Sequence, residues 1–103
     1  IDPAKKVIFV IGGSQGSQFI NFCIEQWIER CVDTEQYWFI HQTGVQEVDK
    51  VKALYQKHSV PSIVFGYRHD LNYCYSAADY IITRAGAGTL FEILFFKKPA
   101  LII

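Results

Sequence analysis

The chain has 103 residues, half of them hydrophobic, which is enough for one compact domain and one core. Ten Lys and Arg balance ten Asp and Glu, so no basic surplus draws the chain to nucleic acid by counterion release. No apolar run approaches the ~20 residues of a membrane-spanning helix, and no signal peptide is visible.

Residues 5–11, KKVIFVI, form a short continuous apolar run, β-branched and aromatic. That composition predicts a strand covered on both faces. GGSQGS follows, and then FINFCIEQWIERC, whose apolar spacing predicts a helix from about Gln15 to Arg30. QYWFIHQTG predicts a second strand ending in a turn. VQEVDKVKALYQKH is polar and helical, with Val45, Val48, Val51 and Leu54 or Tyr55 on one face. Pro61 does not sit inside a helix, so VPSIVFG opens a third strand. Arg68 to Ser76 reads as a short helix, ADYIIT as a fourth strand, TLFEILFFKK as a helix and PALII as a fifth strand.

Strands alternating with helices imply a parallel sheet with right-handed crossovers and helices on its faces. In such a sheet ligands bind beyond the carboxyl ends of the strands, where the strand order reverses. Four loops therefore carry the functional question: GGSQGS, HQTG, GYRHD and RAGAG.

In GGSQGS, Gly12, Gly13 and Gly16 let a ligand approach the backbone at a helix start, where amides and the helix dipole favour an anion. Ser14 and Gln15 can add side-chain hydrogen bonds. The spacing is neither a Walker A loop nor GxGxxG. A plain strand-to-helix turn is the structural alternative. RAGAG repeats the logic after the fourth strand, with Gly86 and Gly88 freeing the backbone and Thr89 placed to cap a helix or touch a phosphate. Glu92 lies three residues beyond Thr89. It completes a capping box, or it points into the cleft and takes both hydroxyls of a ribose.

After the third strand, Gly66 can end the strand and the backbone beyond it can read the edge of a base, while Arg68 and His69 face either a diphosphate or solvent. His41, at the end of the second strand, contacts a ligand or serves the structure. His58 reads as a surface residue. No His, Cys or carboxylate pair has metal-ligand spacing, no nucleophile elbow occurs, and no cofactor is called for. Cys23, Cys31 and Cys74 are an odd set without close spacing, which predicts buried, reduced thiols. Ile1-Asp2-Pro3 reads as a linker, Met is absent, and ALII stops within a strand, so residues 1–103 are expected to be one domain cut from a longer protein at both ends.

GGSQGS after the first strand, HQTG after the second, and RAGAGTLFE before KKPALII together resemble the carboxyl-terminal domain of the MurG family of UDP-N-acetylglucosamine transferases. The resemblance covers essentially the whole chain, in order. It implies the carboxyl-terminal half of a GT-B glycosyltransferase, in which two Rossmann-like domains flank the active cleft. It assigns donor binding to Gly13, Ser14, Gln15 and Gly16, to Tyr67 and Arg68, to Ala87, Gly88 and Thr89, and to Glu92. Ser14 contacts the donor, the Arg68 backbone pairs with uracil, Ala87, Gly88 and Thr89 meet the diphosphate, and Glu92 binds the ribose. Arg68 stands where the family more often has an apolar residue, and Gly88 where it more often has a larger one.

The family's reaction transfers GlcNAc from UDP-GlcNAc to lipid I, giving lipid II, with inversion and without a metal. The acceptor lipid, the general base and the face on the inner (plasma) membrane belong to the amino-terminal domain. The resemblance therefore implies a cytoplasmic, peripheral membrane enzyme, no nucleic-acid partner, and a domain inactive alone. Related UDP-sugar enzymes of the same fold keep much of this pattern: a dolichol-linked GlcNAc transferase subunit, galactolipid synthases, and UDP-sugar hydrolases and epimerases. An NAD-binding Rossmann domain predicts an acidic residue where this chain has His41-Gln42-Thr43, which counts against it. A non-catalytic interaction domain of the same fold is the third class.

Overall fold

The structure is a computed structural model that describes residues 4–12, 18–30, 33–84 and 93–103. In chain order the described elements are β1 (Lys6–Ile11), α1 (Gln18–Arg30), β2 (Tyr37–Gln42), a 3-10 turn (Val45–Glu47), α2 (Val48–Lys57), β3 (Ser62–Phe65), α3 (Asn72–Ala77), β4 (Tyr80–Thr83) and β5 (Ala100–Ile102), with residues 93–96 helical before β5. The five strands form one parallel sheet in the order β3-β2-β1-β4-β5.

β1 is the central strand and is buried on both faces from Val7 to Ile11, as its unbroken apolar run predicts. Val7, Phe9 and Ile11 face a cluster with Cys74 and Tyr75 of α3 and with Ile93. Ile8 and Val10 face the opposite cluster with Ile20, Ile24 and Ile28 of α1 and Val51, Leu54 and Tyr55 of α2. Helices therefore cover both faces, and the fold is Rossmann-like. Asp79 ties the start of β1 to the start of β4: its carboxylate accepts the Val7 N–H at 2.7 Å, and its own N–H donates to the Val7 carbonyl at 2.8 Å.

Several local expectations change. Residues 68–71 are loop, and α3 begins only at Asn72. The Asp70 side chain accepts the Asn72 N–H at 2.9 Å, an Asx turn that holds the chain outside helical geometry until that point. Val45 is 77% exposed and does not join the packed face of α2. It lies in the 3-10 turn that follows Gly44, whose φ is 83°, and that turn is out of phase with the helix. The last helix ends at Phe96, because Lys97 takes a left-handed φ of 55°. Ile93 in that segment is buried, whereas Leu94 and Phe95 are exposed. Residues 15–17, where the helix is expected to begin, residues 89–92 and Cys31 lie outside the described residues. Cys74 is buried as expected, and Cys23 is only half-buried.

Candidate functional site

Strand order builds the site. β2 and β3 lie on one side of β1, and β4 and β5 on the other. The order therefore reverses between β1 and β4, and the crevice beyond their carboxyl ends is where such sheets hold ligands. Ile11 pairs with Thr83 in register, so β1 and β4 end side by side. The chain leaves them at Gly12 and Arg84, at the heads of the two glycine-rich segments. Arg84 reaches back across the crevice and places its guanidinium 5.4 Å from the centre of the Phe19 ring in the first turn of α1. Gly13, Ser14, Gln15 and Gly16, and Ala87, Gly88, Thr89 and Glu92, lie outside the described residues.

The next two strand ends are described in full. Gln42, the last residue of β2, is in register with Ile11 and with Phe65, so three strand ends form one edge. The turns beyond β2 and β3 are stitched together: the Thr43 N–H donates to the Phe65 carbonyl and the Gly44 N–H to the Gly66 carbonyl, both at 2.9 Å. Gly66 is required by this closeness, since a Cβ there would sit 2.9 Å from the Val45 Cα. Tyr67 and Arg68 follow at the rim, both exposed. The Arg68 guanidinium lies 4.2 Å from the centre of the Phe65 ring, and the Arg68 N–H donates to Gln42 Oε1 at 3.3 Å. His69 is exposed as well.

Under the edge lies a buried polar group that residue spacing did not reveal. His41 is fully buried. Asn21 of α1 donates its Nδ2 to the Thr43 carbonyl at 3.0 Å, which turns its Oδ1 toward His41 Nε2 at 2.7 Å. Nε2 therefore carries the proton and donates, and Nδ1 accepts from the Tyr55 hydroxyl at 2.7 Å. Burial lowers the His41 pKa to about 3, and burial raises the Tyr55 hydroxyl well above its usual range. Each group is thus held in the state the network needs, a neutral imidazole between an acceptor, Asn21 Oδ1, and a donor, the Tyr55 hydroxyl. Asn21 Nδ2 also lies 3.4 Å from Glu47 Oε1. The network joins α1, β2 and α2 directly beneath the turns that carry the rim. His41 is a structural residue, and no part of it is open to a ligand. His58, expected at the surface, is half-buried, and its Nε2 is buried without a hydrogen-bond partner.

A second recess, of about 330 Å³, is lined by Ile8, Tyr80, Ile81, Ile82, Pro99, Ala100 and Leu101. Its walls are almost wholly apolar and offer nothing to fix a polar ligand. Among the described residues no cluster of His, Cys, Asp and Glu could hold a metal ion, and no helix is long and apolar enough to cross a membrane.

Residues 7–103 match the family model of the glycosyltransferase family 28 C-terminal domain. The chain is 35% identical over 105 residues to the UDP-N-acetylglucosamine–N-acetylmuramyl-(pentapeptide) pyrophosphoryl-undecaprenol N-acetylglucosamine transferase of Phocaeicola vulgatus, covering 100% of this chain and 28% of that protein. It is 37% identical over 99 residues to the protein of the same name from Campylobacter jejuni, covering 96% of this chain and 28% of the relative. Among solved structures it is similar to Acinetobacter baumannii MurG, with a TM-score of 0.74 and 32% identity over 86% of this chain and 27% of that one. A UDP-GlcNAc 2-epimerase from Neisseria meningitidis, solved bound to UDP-GlcNAc, shares the fold at a TM-score of 0.67 and 20% identity, covering 99% of this chain and 28% of that one. The chain thus spans a little over a quarter of the length of the proteins it matches.

Proposed function

The chain belongs to the glycosyltransferase family 28 C-terminal domain family, and from that premise we propose that it is the domain that binds UDP-GlcNAc in an enzyme transferring GlcNAc to a lipid-linked acceptor, lipid I, to give lipid II. The observation that carries the reading is the register of β1 with β4, which starts both glycine-rich segments side by side at the reversal of strand order.

The chemistry follows from the donor. A nucleotide sugar presents a base, a ribose and a diphosphate in a row. The diphosphate carries negative charge, which grows on the leaving UDP as the glycosidic bond breaks. Backbone amides at a helix start stabilise that charge in the transition state as well as in the bound complex. We assign this work to Gly13, Ser14, Gln15 and Gly16 after β1, and to Ala87, Gly88 and Thr89 after β4. Glu92 takes the two ribose hydroxyls, for which a carboxylate is a bidentate acceptor. Tyr67 and Arg68 face the base, and a backbone contact at Arg68 does not depend on its side chain, which lies on Phe65.

The acceptor lipid, the general base and the contact with the cytoplasmic face of the inner membrane belong in this reading to an amino-terminal domain outside these 103 residues. The chain alone then binds donor without turning it over.

Titration of the chain with UDP, UDP-GlcNAc, UDP-glucose and NAD, by calorimetry or ligand-observed NMR, tests the reading. UDP ligands are expected to bind and NAD not. Glu92→Ala is expected to weaken UDP by about 1.5–3 kcal/mol without unfolding the chain, the range for a hydrogen bond to a charged group. Preference for NAD over UDP would move the chain to the dehydrogenase class. Failure of UDP to bind both this chain and a longer one containing it would end the transferase reading.

A further inference from the structure

Arg84 carries the only charge among the described residues that border the ends of β1 and β4, which are Ile11, Gly12, Gln18, Phe19, Thr83 and Arg84 itself. Alternation along the strand sends its side chain to the same side of the sheet as that of Ile82, which packs on the cluster under α1. Thr83 Oγ1 donates to the Arg84 carbonyl at 3.0 Å and fixes the peptide at the strand exit. From there the guanidinium crosses the crevice to the Phe19 ring, 5.4 Å from its centre. Phe19 is itself 51% exposed, and no carboxylate among the described residues pairs with Arg84. A cation on a wet ring is held loosely. A two-pronged, charge-assisted contact with phosphate oxygens is stronger, so an anion in the crevice takes the guanidinium from the ring.

We propose that Arg84 is a leaving-group residue that rests on Phe19 and moves onto the diphosphate as its charge grows, an inference that rests on the donor-site reading above. In the transfer, the bond from the anomeric carbon to the diphosphate oxygen breaks, and its electron pair stays on that oxygen. The acceptor hydroxyl oxygen bonds to the anomeric carbon, and its proton passes to the general base outside these residues. The diphosphate thereby gains a negative charge that it lacks in the donor. Backbone amides meet that charge with partial charges, whereas a guanidinium adds a full one and a fork of donors. Arg84 then grips the departing nucleoside diphosphate more tightly than the intact nucleotide sugar. Only such a difference in grip lowers the barrier to bond breaking. The same grip slows release of the product.

The test compares the affinities of UDP, UDP-GlcNAc and uridine for the wild-type chain and for Arg84→Gln, by calorimetry or ligand-observed NMR. The variant is expected to weaken UDP about tenfold, or about 1.4 kcal/mol, to weaken UDP-GlcNAc by less, and to leave uridine unchanged. Arg84→Lys keeps the charge and loses the fork, and its UDP affinity should fall between the two. An unchanged UDP affinity in Arg84→Gln overturns the role and leaves the donor-site reading standing. Equal losses for UDP and UDP-GlcNAc overturn it as well, and losses that extend to uridine do the same, since a merely structural residue behaves in that way. If neither the wild-type chain nor a longer one containing it binds any of the three, the donor-site reading ends and this inference with it. If Arg84→Gln does not fold, the wild-type chain decides by NMR. The Arg84 Nε–H signal is expected to shift with UDP and not with uridine. A signal that does not respond to UDP overturns the proposal.

Discussion

Lowering the pH from 8 to 5 should destabilise the folded chain by about 2 kcal/mol through His41 alone. The imidazole has a pKa of about 3 in the fold and 6.5 when exposed. Between those values the unfolded chain holds a proton that the folded chain refuses. Stability is thus fully present above pH 6.5 and is lost as the pH falls toward 3, by about 1.4 kcal/mol for each pH unit. At pH 5 the exposed group is about 1.5 units below its midpoint, which gives the figure of about 2 kcal/mol. The physical reason is in the network. Protonated Nδ1 would point a donor at the Tyr55 hydroxyl, which itself donates there at 2.7 Å, and the added charge would sit away from water. Urea unfolding at fixed pH steps measures the slope, and the same series on His41→Gln separates this residue from the carboxylates and from His58 and His69. Parallel curves for the two proteins between pH 7 and 5 would refute the reasoning.

Three further outcomes follow from the described geometry. Gly66→Ala should lower stability by about 1–3 kcal/mol in urea unfolding, since the new methyl meets Val45 backbone at 2.9 Å and backbone gives way less readily than a side chain. Ser59→Gly should raise stability by about 0.5–1 kcal/mol by the same assay. Ser59 has a φ of 56° at the end of α2, where Ser59 N–H donates to the Gln56 carbonyl and Val60 N–H to the Tyr55 carbonyl, a Schellman motif that favours glycine. Under native conditions an alkylating reagent should label Cys23 well before Cys74, as peptide mass spectrometry would read. Cys74 is buried, and burial raises its thiol pKa against the opposing pull of Arg68.

The sequence announced its elements better than their arrangement. An unbroken apolar run marked β1 as buried on both faces, and Pro61 marked the approach to β3. Turn chemistry was harder to read. The Asx turn at Asp70 and the left-handed Gly44 decide where α3 starts and where Val45 points, and helical periodicity is blind to both. Alternation of strand and helix implied a parallel sheet, but did not say that β4 lies against β1. That adjacency comes from the Val7–Asp79 pairing, 72 residues apart in the chain, and from the packing of α3. The polar network was invisible for the same reason: Asn21, His41 and Tyr55 share no spacing and meet only when α1 and α2 pack on β2. Gln42 stood in plain view within HQTG, but nothing in the string distinguishes a glutamine that holds a backbone amide from one in water.

β1 comes first in the chain and lies at the centre of the sheet, and this bears on how the molecule reaches its fold. Lys6 pairs with Tyr37, a modest closure, whereas β4 must return across 72 residues before Asp79 can grip Val7. The entropy of closing the longer span is larger, and such non-local pairings slow folding. The half-sheet β3-β2-β1 can therefore gather on α1 and α2 while the far side of β1 waits. Until β4 and α3 arrive, Val7, Phe9 and Ile11 stand bare beside an unpaired strand edge, where another chain can add itself. The strand that will anchor the crevice is, for that interval, open to pairing with another chain, and refolding yield should fall as protein concentration rises.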